Sequence, residues 1–148
     1  MSLIDKLDQD INEALKGGER DKLTVLRGLK SVLKYARIEK GEDLTGDDVI
    51  TALSSEAKKV RDSIEQFGKG GRQDLVDKSQ VELEIIQSYL PKQLSEDELR
   101  EIVKAAVTEV GAESAKDMGK IMKVVMPKIK GQADGKMVNK LAMEILAK

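Results

Sequence analysis

Tyr89-Leu90-Pro91-Lys92-Gln93-Leu94-Ser95-Glu96-Asp97-Glu98 is the stretch on which the reading of the fold turns. Pro91 has no backbone N–H and disfavours helical backbone at the residue before it, so a helix arriving from upstream ends here. Ser95 and Glu98 then have the spacing of a capping box, with the hydroxyl at the N-cap and the reciprocal carboxylate three residues on. One helix stops and another starts within a few residues. This predicts a break near residue 94, with an N-terminal helical domain over 1–93 and a C-terminal one over 94–148.

Upstream, apolar residues recur with a period near 3.6 and nowhere alternate as in strands. Ser2 can cap a helix with the stripe Leu3, Ile4, Leu7, Ile11, Ala14 and Leu15, stopped by Gly17-Gly18. Glu19 opens a second, with Leu23, Leu26, Leu29, Val32, Leu33 and Ala36 inward, ending at Gly41. Thr45 or Asp47 caps a third bearing Val49, Leu53, Val60, Ile64 and Phe67, closed by Gly68. A fourth carries Leu75, Val76, Leu83, Ile86 and Leu90 up to Pro91. Downstream, a fifth helix bears Leu99, Ile102, Val103, Ala106, Val107 and Val110 and stops at Gly111. Ser114 and Asp117 repeat the capping box for a sixth with Ile121, Met122 and Val125, ended by Pro127 and Gly131. Asp134 caps a seventh with Met137, Val138, Leu141 and Ile145. The expected fold is all-α: a bundle of about four helices followed by a small three-helix domain, marginal in size if it stood alone.

Composition narrows the chemistry. With no cysteine and no histidine, disulfides, thiolate nucleophiles, the usual zinc sites and histidine acid–base catalysis are excluded. Charged residues make up 36% with nearly balanced signs, as expected of amphipathic helices with solvated outer faces. No apolar run resembles a signal peptide or approaches a membrane span, which predicts a cytoplasmic protein and no membrane partner.

Charge is unevenly spread. Lys116–Lys140, KDMGKIMKVVMPKIKGQADGKMVNK, holds seven lysines against Asp117 and Asp134. The chain as a whole is −1, so with +5 here the remainder is −6. Residues 95–115 carry six acids and two bases, whereas 116–148 carry eight lysines and three acids. Acidic and basic faces can pair within the domain, each exposed pair being worth ~0–1 kcal/mol; lysine in excess of that pairing marks a dock for an anionic partner.

Within this stretch Lys116, Lys120 and Lys123 fall on one side of a helix. Lys128 and Lys130 lie at its end, where cations also favour the dipole. Lys136 opens the next helix, where a cation is unfavourable unless an anion binds; a phosphate could be held there by Lys136 and backbone N–H groups, approached closely at Gly131 and Gly135. Asp134, as the capping carboxylate, competes for the same space. The methionines Met118, Met122, Met126 and Met137 either fill an irregular core or line an adaptable groove. No aromatic side chain occurs in the stretch, so a nucleic-acid partner would be held by contacts to the backbone and shape of folded RNA, without base stacking. DNA is not expected.

Other motifs carry less. Ser31-Val32-Leu33-Lys34 and Ser55-Glu56-Ala57-Lys58 match S-x-x-K, a spacing used by serine acyl-enzymes, but without companion motifs. Gly68-Lys69-Gly70-Gly71-Arg72 lacks phosphate-loop spacing and reads as an interhelical loop. Asp74, Asp77, Glu82 and Glu84 read as a solvated face rather than a metal site. No catalytic, metal or cofactor site is expected.

Tyr89-Leu90-Pro91-Lys92-Gln93-Leu94-Ser95, Lys116-Asp117-Met118-Gly119-Lys120, Met126-Pro127-Lys128-Ile129-Lys130-Gly131 and Ala133-Asp134-Gly135-Lys136-Met137-Val138-Asn139, in this order, resemble the YqeY family over essentially the whole length. That family is similar, in its C-terminal part, to the tail domain of the B subunit (GatB) of tRNA-dependent amidotransferase, which converts Glu-tRNA(Gln) or Asp-tRNA(Asn) to the amide form. The resemblance implies an all-helical fold and a tRNA-contacting module, with Lys116, Lys120, Lys123, Lys128, Lys130, Gly131, Gly135, Lys136 and Asn139 as the nucleic-acid-binding set. Gln132 departs from the family pattern, which often has lysine or arginine there. The parent's catalytic cradle and amidase subunit have no counterpart here. The expected function is a tRNA-binding accessory module without its own active site. The alternatives are a helical adaptor docking on an aminoacyl-tRNA synthetase or amidotransferase subunit, or a component of a glutamine-dependent carbon–nitrogen ligase complex.

Overall fold

The computed structural model describes residues 2–147; positions 1 and 148, the outer limits of the two expected domains, lie outside the described residues. Among the described residues every regular element is helical and no strand occurs. The first compact unit, Met1–Pro91, contains α1 (Leu3–Lys16), α2 (Arg20–Lys40), α3 (Gly46–Lys69) and α4 (Gln73–Gln87). The second, Lys92–Lys148, contains α5 (Glu96–Val110), a 3₁₀ turn (Ala115–Asp117), α6 (Met118–Lys128) and α7 (Gly135–Leu146). Each unit closes a core of its own. Leu7, Leu26, Leu29, Leu53, Ala57 and Ile86 centre the first, and Leu99, Val103, Ile121, Val125, Val138 and Leu141 the second. The large residues of both cores are aliphatic apart from Tyr89.

Capping chemistry fixes the ends. Ser2 and Asp5 form a reciprocal box at α1, and Thr45 with Asp48 another at α3. The Lys40 ammonium, together with the Thr45 N–H and hydroxyl, pulls the Asp48 carboxyl down to about 2. At Ser95 only the hydroxyl half is made: Glu98 N–H donates to Ser95 Oγ at 3.1 Å, without the reciprocal carboxylate bond. Gly111 takes φ +64° and turns the chain out of α5, a conformation that a Cβ would strain.

Some boundaries differ from the sequence reading. Helix α4 ends at Gln87 instead of running to Leu90. The pre-proline restriction reaches back through a tightened turn, in which Tyr89 N–H bonds Ile86 O and Leu90 N–H bonds Gln87 O, both at 3.1 Å. Helix α3 passes through Gly68 to Lys69, since one glycine near a helix end costs less than the backbone bonds it would forfeit. The Ser114–Asp117 box caps the 3₁₀ turn that leads into α6, not α6 itself. Pro127 lies inside the last turn of α6, where its missing N–H removes a single bond and Ile129 N–H still reaches Val125 O at 3.2 Å.

Candidate nucleic-acid interface

The lysine-rich stretch folds as the 3₁₀ turn, α6, a tight turn and α7, built on a fully buried floor of Ile121, Val125, Ile129, Val138 and Leu141. With that floor spent on the core, the lysines between these positions face solvent. Lys116, Lys120, Lys123, Lys128, Lys130, Lys136 and Asn139 are all exposed, and Lys140 with them. Sequence reasoning left Lys140 out of the candidate set, although its i+4 spacing from Lys136 places it on the same face of α7.

Pairing inside the unit uses part of this charge. Lys128 Nζ lies 3.5 Å from Glu109 Oε2 on α5, with both groups more than half exposed. Lys120 Nζ lies 3.7 Å from Asp117 Oδ1. The Asp117 carboxylate is mainly engaged by the Glu113 and Ser114 backbone N–H groups, which hold it below the usual carboxylate range. Arg100, not a lysine of the basic stretch, bridges α5 to α7 through Glu144 at 3.5 Å. Among the described residues, no carboxylate lies within ion-pair distance of the Lys116, Lys123, Lys130 or Lys140 ammonium.

The start of α7 is less open than an anion cradle would be. Asp134 Oδ1 accepts the Lys136 N–H at 3.3 Å, while Met137 and Val138 N–H groups bond Asp134 O. The two glycines of the candidate set differ in what the fold asks of them. Gly131 adopts φ +76°, and its carbonyl accepts from Gln93 Nε2 at 2.7 Å. A Cβ on Gly135 would meet Met126 Cε at 3.6 Å and Met122 Cε at 3.9 Å. The methionines thereby divide: Met118, Met122 and Met137 pack against the core, while Met126 stays 37% exposed.

Gln132 is also structural. Its backbone carbonyl accepts from Leu94 N–H at 2.9 Å and its side-chain amide donates to Lys92 O at 3.3 Å. With the Gln93 bond, this clasps Lys92-Gln93-Leu94 to the α6–α7 turn. Two motifs far apart in sequence meet there, a juxtaposition no local spacing signals.

The other motifs stay apart from any site. Ser31 and Lys34 are exposed on α2, as are Ser55 and Lys58 on α3. Arg72 of the glycine-rich loop is held by Asp74 through Nε at 3.2 Å and Nη2 at 3.1 Å. Among the described residues no helix is long and apolar enough to cross a membrane.

The Altered inheritance of mitochondria protein 41, mitochondrial, of Pyrenophora tritici-repentis is 29% identical over 97% of this chain and 81% of its own length. Its namesake in Lachancea thermotolerans is 34% identical over 59% of this chain and 47% of its own length. The Kluyveromyces lactis protein of that name is 36% identical over 58% and 47%. These names overturn the cytoplasmic expectation: the absence of a leader-like apolar run says nothing about compartment when relatives this similar are mitochondrial proteins. The model of the Yqey-like protein family matches residues 4–146, and the chain belongs to that family.

Proposed function

We propose that this chain is a tRNA-binding accessory module that uses the lysine face of its second unit and has no active site of its own. The observation that carries the reading is the set Lys116, Lys123, Lys130 and Lys140, exposed and without an acidic partner among the described residues. Cations left in water on a rigid helical floor can neutralise phosphates without first breaking internal ion pairs. Lys120 on α6, and Lys136 and Asn139 on α7, lie close to them in sequence. Because α7's first-turn amides are largely taken by Asp134, the contacts are assigned to side chains rather than to a backbone cradle. The likeness to the amidotransferase tail points to tRNA as the form of RNA. Lacking aromatic platforms, the face suits the folded backbone better than loose bases.

Filter binding tests this with a folded tRNA transcript and an unstructured RNA of equal length. The tRNA is expected to bind more tightly, and Lys123→Ala/Lys130→Ala/Lys140→Ala to weaken it with helicity unchanged. Equal binding of the triple variant and the parent would remove the reading.

One observation favours a second reading, a protein-interaction adaptor. Tyr35 and Ile38 stand 73% and 65% exposed on α2, a large apolar investment in solvent. Under that reading Tyr35→Ala/Ile38→Ala abolishes capture of a protein partner and leaves tRNA binding unchanged.

A further inference from the structure

Gly119 is a helix residue that nothing inside the molecule requires. It is exposed near the start of α6, and among the described residues no heavy atom other than those of its chain neighbours and its own helix backbone lies within 4 Å of where its Cβ would stand. Its φ is not among the positive ones, so the backbone does not demand glycine either. Glycine is nonetheless a poor helix former beside alanine, because it loses more backbone freedom on folding. At Gly135, by contrast, a Cβ would touch the Met126 and Met122 methyl groups at ordinary contact distance. What surrounds Gly119 is charge: Lys116, Lys120 and Lys123 stand three before, one after and four after it, all exposed. The peptide surface between these lysines is bare.

We infer that Gly119 is the seat over which the sugar–phosphate backbone of bound RNA passes, an inference that rests on the RNA-binding reading of this face. The bare helix lets a ribose–phosphate strand lie directly on α6, which brings its oxygens within reach of the three flanking ammonium groups together. Any side chain at 119 stands the strand off and lengthens all of those contacts. The recognised chemistry is the polyanionic backbone of a structured RNA.

The test uses the full chain, a folded tRNA transcript, and the neutral helix-forming variants Gly119→Ala and Gly119→Gln. Both variants are expected to melt at or above the parent's temperature, because each improves helix propensity in open space. Both should lose affinity, Gln more than Ala and by roughly tenfold, equivalent to about one charged contact. The dependence of binding on salt should become shallower, a change that a purely structural role would not produce. Gly28→Ala, at an exposed site in α2 with equally open surroundings, should stabilise without changing binding. Unchanged affinity in the Gly119 variants overturns the seat, and so does a lowered melting temperature, which would give Gly119 a structural role. If Lys116→Ala/Lys120→Ala/Lys123→Ala also binds normally, the RNA-binding reading of this face falls with it; if that variant loses binding while the Gly119 variants do not, only the seat falls.

Discussion

Tyr89 shows what a single residue adds to the aliphatic first core. Its ring is 4% exposed, its hydroxyl donates to the Asp10 carboxylate, and Lys6 Nζ sits 4.8 Å from the ring centroid. Burial, then the facing carboxylate, pushes the phenol up; the Tyr89 hydroxyl, foremost, holds Asp10 below its usual value. Tyr89→Phe keeps the packing and removes the bond, so urea melts should show a loss of about 1–2 kcal/mol. Asp48, lowered from 3.8 to about 2, sets a pH window. A depressed carboxylate stabilises fully above its unfolded pKa and loses that contribution as the pH falls through the folded one. Stability should therefore drop between about 4 and 2, and Asp48→Asn should flatten that part of a stability-versus-pH curve. The lysines of the basic face were legible as residues, because i+3 and i+4 spacing fixes a helix face. The Tyr89–Asp10 bond was not, because its partners are 79 residues apart and neither carries a local signal.

Among the elements, the N-caps at Ser2 and Ser95 were readable because a hydroxyl before an apolar stripe is a local signal, whereas the sequence left Thr45 and Asp47 both open and the structure selects Thr45. The end of α4 and the 3₁₀ entry to α6 were not, since turn tightening depends on bonds made several residues away. The clasp on Gln132 belongs to this class. Its glutamine read only as a departure from a basic pattern, yet it bonds Lys92 and Leu94 across the unit. Gln132→Ala deletes the side-chain bond to Lys92 O and should destabilise by about 1 kcal/mol in thermal melts, leaving tRNA affinity unchanged at temperatures where the chain is folded. A loss of affinity without a loss of stability would instead make Gln132 part of the RNA-binding surface. Gly111→Ala, placed on a left-handed C-cap, should cost about 1 kcal/mol or more by the same assay.

Across the molecule, each of the two units closes a core of its own. The second unit buries Leu99, Val103, Ala106, Ile121, Val125, Ile129, Val138, Leu141 and Ala142 at no more than 1% exposure. A chain of residues 92–148 should therefore retain helical circular dichroism and melt cooperatively, although at a lower temperature than larger domains. A non-cooperative melt would show that this core is insufficient alone. The all-α class was legible from periodicity because no segment mixes helical and strand patterns; the division of charge was legible as a count, but only the geometry shows that Lys120 and Lys128 have carboxylates within ion-pair distance. Whether the lysine face binds RNA is decided by the salt dependence of tRNA binding to the full chain, parent against Lys123→Ala/Lys130→Ala/Lys140→Ala. The parent's affinity should fall steeply with salt, and the triple variant's log–log slope should be shallower by roughly 0.7–0.9 for each phosphate that its missing ammonium groups leave unneutralised. A variant that binds as tightly as the parent, with the same slope, would contradict an RNA-binding role for these lysines.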